Sequence, residues 1–270
     1  MGKFDDILLI TDMDGTLLNS ESNISEGNIS AIEYFIKNGG TFTFATGRNP
    51  KTIEKFQRAT GVNAPAILYN GGLLYNFSTK ETVKRVDVDV SVLDVLKIIE
   101  KKYPEIAIEV HKDSEIYQYH ENIYSDIHLK VVEFTPHHLD DLCEVPFPWN
   151  KVGFWFDCDK FEDFKSFVST IINDKLCFVR SHAYSAEILS AKADKGIMLT
   201  ELKKLYKNKK IVACGDNEND ILMLKNADIS YAPKNAFSCA KDAATYVADS
   251  DCDNDFIAEV VENVLSVSVR

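Results

Sequence analysis

The sequence predicts an α/β protein: a doubly wound, Rossmann-like parallel-sheet core interrupted by an inserted α+β cap. Three observations lead there. Short continuous apolar runs alternate with amphipathic helical stretches at the start of the chain and again towards its end, the pattern of a buried parallel sheet built from βαβ units. Polar clusters directly follow several of those runs, where open α/β sheets bind their ligands. Between about residues 82 and 187 the pattern gives way to mixed strand-like and helical runs, rich in aromatics and holding all six histidines. The expected partition is therefore a core of residues 1–81 and 188–270 and a cap of residues 82–187.

The elements follow in order. Ile7-Leu8-Leu9-Ile10-Thr11 reads as a buried strand running straight into Asp12. A helix follows, with Ser25 as N-cap, Ile29, Ile32 and Ile36 on one face, and Gly39-Gly40 as the stop. Residues 41–45 are a β-rich run ending on Thr46-Gly47-Arg48, residues 50–58 a helix, and residues 66–69 a third strand ending on Asn70-Gly71-Gly72. In the insert, residues 106–110, 127–134, 152–156 and 177–180 look strand-like, and 90–102 and 160–173 look like amphipathic helices. The core resumes with a helix at 195–206, a strand at 210–214, a helix at 221–226, strand-like stretches at 228–231 and 245–247, and a final helix near 255–264. There is no internal repeat.

Composition narrows the function classes. Lys and Arg total 30 against 42 Asp and Glu, a net charge of −12, which lacks the basic footprint of a nucleic-acid partner. A small anionic substrate is still compatible, because the local field counts for more than net charge. The six cysteines are scattered without a Cys-x-x-Cys pair, so neither a zinc site nor a disulfide scaffold is expected. The first residues carry acids where a signal peptide would be basic, and the apolar run at 7–10 is too short for a signal core or a span. A cytoplasmic protein without membrane partners, monomeric or weakly self-associating, is the expectation.

Four clusters carry chemistry. Asp12 and Asp14, two positions apart at a strand end and followed by Gly15-Thr16, can divide labour: one carboxylate attacks phosphorus while the other handles protons. Thr46 places a hydroxyl at the end of the next strand, able to bond a phosphoryl oxygen. Lys195 opens a helix, where a cation opposes the helix dipole, so a ligand requirement is expected to outweigh that penalty by neutralising phosphoryl charge and positioning Asp12; Lys192 is the competing lysine. Gly215-Asp216-Asn217-Glu218-Asn219-Asp220 packs three acids and two amides into one turn, a hard oxygen donor set suited to Mg²⁺.

In this order and on this strand pattern, the segments Asp12-Met13-Asp14-Gly15-Thr16-Leu17-Leu18, Phe44-Ala45-Thr46-Gly47-Arg48, Asn70-Gly71-Gly72, Lys195-Gly196 and Gly215-to-Asp220 followed by Ile221-Leu222-Met223-Leu224 closely resemble the haloacid dehalogenase superfamily. The inserted cap is similar in length and position to that of the Cof-type, subclass IIB phosphatases. The resemblance implies that Asp12 forms an aspartyl-phosphate, and that Asp14 protonates the leaving alcohol and then activates water. It implies Mg²⁺ held by Asp12, the backbone carbonyl of Asp14 and Asp216, with Asp220 in support. Thr46, Gly47, Lys195 and Asn219 would grip the phosphoryl group, and small phosphorylated metabolites, sugar phosphates first, would be the substrates. One segment departs from the pattern: Ile229-Ser230-Tyr231-Ala232-Pro233-Lys234-Asn235-Ala236 stands where the family has Gly-Val-Ala-Met-Gly-Asn-Ala, which is expected to alter packing beside the site.

Other readings share the same residues. A phosphomutase or phosphotransferase would use the same nucleophile and pass the phosphoryl group to a second hydroxyl. A receiver-like regulatory domain also combines a strand-end Asp, a Thr and a Lys, but needs neither Asp14 nor a large insert. A binding protein that has lost catalysis would not need the intact motifs. For each cap histidine (His111, His120, His128, His137, His138, His182) a structural or solvated role is expected.

Overall fold

The computed structural model describes residues 2–268. In chain order its elements are β1 (Ile7–Thr11), α1 (Glu26–Lys37), β2 (Thr41–Phe44), α2 (Glu54–Thr60), β3 (Ala66–Leu68), β4 (Leu73–Asn76), β5 (Glu81–Arg85), α3 (Val92–Lys102), β6 (Ala107–Lys112), β7 (Glu115–Tyr119), α4 (Ile123–Val131), β8 (His137–His138), β9 (Lys151–Trp155), α5 (Phe161–Ile171), β10 (Leu176–His182), β11 (Ser185–Ser190), α6 (Lys195–Leu205), β12 (Lys210–Cys214), α7 (Ile221–Asn226), β13 (Ile229–Ala232), α8 (Ser238–Ala243), β14 (Tyr246–Val247) and α9 (Phe256–Ser268). The chain forms two compact units. One comprises Met1–Thr46, Ile53–Lys84 and Asp194–Arg270; the other comprises Gly47–Thr52 and Arg85–Ala193.

In the first unit five parallel strands lie in the order β14-β13-β12-β1-β2. Thr11 is in register with Cys214 on one side and Phe44 on the other. The residues that follow β1, β2 and β12 therefore emerge at one edge of the sheet, and this alignment builds the site. Ile7, Leu9, Phe42, Phe44 and Val212 join Ile32 and Phe35 of α1 and Phe256 and Val260 of α9 in one apolar core. Strand alternation sends Leu8, Ile10 and Ile211, all buried, to the opposite face. There α7 meets β12 and β13, and α6 packs on α7. Helices on both faces make the sheet doubly wound.

Helix α1 starts where expected: the Ser25 hydroxyl accepts from the Asn28 N–H. Its buried stripe is Asn28, Ile32 and Phe35 rather than the isoleucines at 29 and 36, which are only half-buried. Strand β3 also departs from the expected third parallel strand. It meets β2 at a single parallel bridge, Ala45 with Ile67, and its ladder is antiparallel with β4 in a separate three-stranded sheet, β3-β4-β5.

The second unit is built on a six-stranded sheet, β10-β11-β9-β6-β7-β8. Its pairings are antiparallel except for β7 with β8. One face is an apolar core in which Ile108, Val110, Val152, Phe154 and Ile188 pack with Val92, Leu96 and Ile99 of α3 and Phe161, Phe164 and Val168 of α5. The alternate residues form a polar row: Glu187 faces Gly153, which faces Glu109, which faces Gln118. The strand expected over 127–134 is instead the second half of α4 and the turn that follows it. A capping box at Asn122 and Ser125, with each side chain bonding the other's backbone N–H, starts a helix there. That local signal overrides the strand-like alternation of Ile127-His128-Leu129-Lys130.

Candidate active site

Asp12 leaves β1 with its backbone N–H bonded to the Cys214 carbonyl of β12 (2.9 Å). Its carboxylate is buried, and Oδ1 accepts from Lys195 Nζ at 2.7 Å. The same ammonium reaches Asp220 Oδ1 at 2.8 Å. The Lys195 side chain has no exposed surface, and its helix is capped by Asp194, which accepts from the N–H groups of Gly196 and Ile197. The other Asp220 oxygen accepts from the backbone N–H groups of Asp216 and Asn217 (3.0 and 3.1 Å). Asp220 thus shapes the turn that carries Asp216. Two glycines make this density possible. A Cβ on Gly15, whose φ is +79°, would stand 2.8 Å from Asp216 Oδ2, and one on Gly215 would stand 2.5 Å from Asp220 Cβ.

Asp12, Asp216 and Asp220 each present a carboxylate oxygen within 4.8 Å of the others, and all three are buried. Three carboxylates face one lysine there. Burial pushes Asp12 well above the usual carboxylate range; Lys195 opposes this, while Asp220 and Asp216 add to it. Burial, with the Asp220 charge, pushes Asp216 up to about 6. Burial also works against the Lys195 ammonium, but Asp12 and Asp220 outweigh it and hold its pKa above the ordinary lysine value. A cluster of hard oxygen donors short of positive charge fits a divalent cation such as Mg²⁺.

The remaining sequence-derived candidates lie as follows. Asp14 is exposed, two residues beyond Asp12 in the turn that pairs with Leu18. Thr46 is buried; its N–H donates to Ile67 and its carbonyl accepts from the Asn70 N–H. Asn219 Nδ2 donates to Asn70 Oδ1 at 3.1 Å. Gly47 belongs to the second unit, where its carbonyl accepts from Lys151 Nζ at 3.1 Å. Lys192 is an exposed residue of that unit, and Lys195 is the lysine at Asp12. Of the cap histidines, His111 is buried, His128 stacks on Trp155, His120 on Tyr119 and His137 on Tyr117, and His138 is exposed; the His182 side chain lies outside the described residues.

Three residues join the site without having been singled out. Thr16 Oγ1 donates to Asp216 Oδ1 at 2.8 Å, and it sits inside the Asp12 motif. Asn70 joins Thr46 to Asn219, and its signal was an Asn-Gly-Gly directly after a strand. Asn235 lies in the divergent segment. Its Nδ2 donates to the Gly15 carbonyl (2.8 Å) and its Oδ1 accepts from the Cys252 N–H. Tyr231 and Pro233 leave that tie in place, because Tyr231 turns into the core against Tyr246 while its carbonyl accepts from Gly215.

A doubly wound core with a buried carboxylate–lysine cluster beyond its strand ends is the architecture expected from the sequence motifs. The sequence profile of the haloacid dehalogenase-like hydrolases matches residues 9–261, and the chain belongs to that family. The 5-amino-6-(5-phospho-D-ribitylamino)uracil phosphatase YwtE of Bacillus subtilis is 27% identical over 286 residues, covering 94% of this chain and 96% of that protein. A haloacid dehalogenase-like hydrolase from Bacteroides thetaiotaomicron superposes with a TM-score of 0.86 at 25% identity, over 96% of this chain and 99% of that one. The subclass IIB sugar phosphatase BT4131 shares the fold with a TM-score of 0.82 at 21% identity, over 95% and 98% of the two chains.

Proposed function

We propose that the protein is a Mg²⁺-dependent phosphatase of small phosphorylated metabolites, sugar phosphates foremost, acting through an aspartyl-phosphate on Asp12. The observation that carries this reading is the buried triad of Asp12, Lys195 and Asp220 with Asp216 beside it. The names of the relatives, phosphatases of a phosphorylated ribityl compound and of sugars, support the substrate class.

Asp12 is the nucleophile. Its carboxylate oxygen bonds phosphorus as the ester P–O bond breaks, and the Asp14 carboxyl gives its proton to the departing alkoxide. Exposure of Asp14 suits a group that must meet both substrate and water. Asp14 then takes a proton from water as that water attacks phosphorus. The Asp12–phosphorus bond breaks, and inorganic phosphate leaves. Lys195 holds the attacking carboxylate in place and, with Thr46, Gly47 and Asn219, balances charge on the phosphoryl oxygens. Asp12, the Asp14 backbone carbonyl and Asp216 would hold Mg²⁺, with Asp220 in support, and the bound ion would supply further neutralisation of phosphoryl charge.

A panel of phosphate monoesters assayed with Mg²⁺ for released phosphate tests the reading. Turnover of sugar phosphates that disappears in Asp12→Asn is expected. No phosphate release across the panel, or full turnover by Asp12→Asn, contradicts it. Isomeric sugar phosphate as the product, in place of free phosphate, would mark a mutase.

A further inference from the structure

The turn after β3 carries an unusual backbone. Tyr69, Asn70 and Gly71 all have positive φ, at 52°, 53° and 96°. Left-handed geometry is strained at a bulky residue and persists only where its surroundings over-determine it. Here they do. The Tyr69 ring is fully buried in the core, and asparagine tolerates the left-handed region better than most residues. Gly71 is required, because a Cβ there would stand 2.3 Å from the carbonyl carbon of Asp194.

Three contacts converge on this turn. The Asn70 N–H donates to the Thr46 carbonyl (3.0 Å). The Asn70 side-chain oxygen receives Asn219 Nδ2 across 149 residues of sequence. Gly71 lies directly against Asp194, the residue that caps the Lys195 helix. Thr46, Asn219 and Lys195 come from three separate segments, and one strained turn touches each segment.

We propose that Asn70 is a positioning residue for phosphoryl binding, setting Asn219 and Thr46 at the spacing the phosphoryl oxygens require. The inference rests on the assignment of Thr46 and Asn219 as phosphoryl-gripping groups. By accepting one N–H of Asn219, Asn70 fixes the rotation of that amide and so the direction of its remaining N–H. Its backbone N–H holds the carbonyl of Thr46, which limits how far that residue can shift.

The test is a double-mutant cycle with Asn70→Gly and Asn219→Ala. Glycine keeps the left-handed turn and the backbone bond to Thr46 while removing the side chain, so the protein is expected to fold with an unchanged thermal midpoint. The readouts are KM for a turned-over monoester and the competitive inhibition constant of inorganic phosphate. A partly misfolded preparation lowers kcat alone, whereas both of these constants are independent of the active fraction. Loss of one oriented hydrogen bond is expected to raise both constants about tenfold, and the double variant is expected to be no worse than Asn219→Ala alone. Unchanged constants in Asn70→Gly, or strictly additive effects, overturn the proposal. If the wild-type protein turns over no monoester, the phosphatase reading fails instead, and phosphate binding measured directly by calorimetry on the same four proteins decides the role of Asn70.

Discussion

Lys195 Nζ lies 2.7 Å from Asp12 Oδ1, and the two residues are 183 positions apart in sequence. The contact pins the proposed nucleophile from the helix that reopens the core after the insert. It leaves one ammonium to serve Asp12 and Asp220 together.

Replacing Lys195 with methionine removes that charge and leaves three carboxylates buried together. Breaking a buried pair from one side typically costs about 3–5 kcal/mol. Lys195→Met is predicted to unfold at lower urea concentration than wild type and to recover more of that loss than wild type gains when Mg²⁺ is added. Its kcat is predicted to fall about 10²–10³-fold, by loss of charge stabilisation at the phosphoryl group. Urea titrations with and without Mg²⁺, together with steady-state kinetics, check both; equal stabilisation of the two proteins by Mg²⁺ would contradict the charge argument.

Thr16 acts through Asp216. Its hydroxyl bond to Asp216 Oδ1 fixes the orientation of a proposed metal ligand, and partners of this kind commonly affect metal affinity about 10–100-fold. Thr16→Val is predicted to raise the Mg²⁺ concentration needed for half-maximal activity by that order, with kcat at saturating Mg²⁺ changed little. An unaltered Mg²⁺ requirement would remove Thr16 from the site.

Glu109 gives the second unit a dependence on pH. Its carboxyl is fully buried on the polar row of the sheet beside His111, His128, Lys151 and Glu187, and neither oxygen has a hydrogen-bond partner of good geometry. Burial pushes it up to about 8, despite Trp155 and Lys151. A raised carboxyl binds its proton more tightly in the folded state. Its contribution is therefore complete below the ordinary glutamate range and is lost as pH rises towards 8, by at most about 1.4 kcal/mol per pH unit. His111 works the other way: burial, with Lys151 and His128, pushes it well below its ordinary value, so its contribution grows as pH rises through about 6.5 and is then constant. Of these two groups, only Glu109 changes its contribution above pH 7. The urea midpoint of wild type is predicted to fall between pH 7 and 8.5 relative to that of Glu109→Gln, and parallel curves would contradict it.

The strand-end chemistry was legible because it is local. An apolar run that stops on Asp12, or on Gly215-Asp216, announces both a buried strand and the polar group at its end. Elements that depend on distant partners were harder to read. The stretch 127–134 alternates like a strand, yet the Asn122–Ser125 box upstream makes it a helix. Glu109 and His111 alternate with apolar neighbours as surface residues would, because periodicity shows which residues share a face and not whether that face meets water. Asn70 was visible as a motif. Its partners Thr46 and Asn219 could emerge only once the fold had brought them together.

The proposed function depends above all on phosphoryl transfer through Asp12. The most direct measurement quenches the enzyme during turnover of a sugar phosphate, reduces it with borohydride, and maps the peptide containing residue 12 by mass spectrometry. Borohydride converts an acyl phosphate to an alcohol, so an aspartyl-phosphate at Asp12 predicts homoserine at that position, dependent on substrate. Turnover that leaves residue 12 unmodified, or places homoserine at another aspartate, would contradict it.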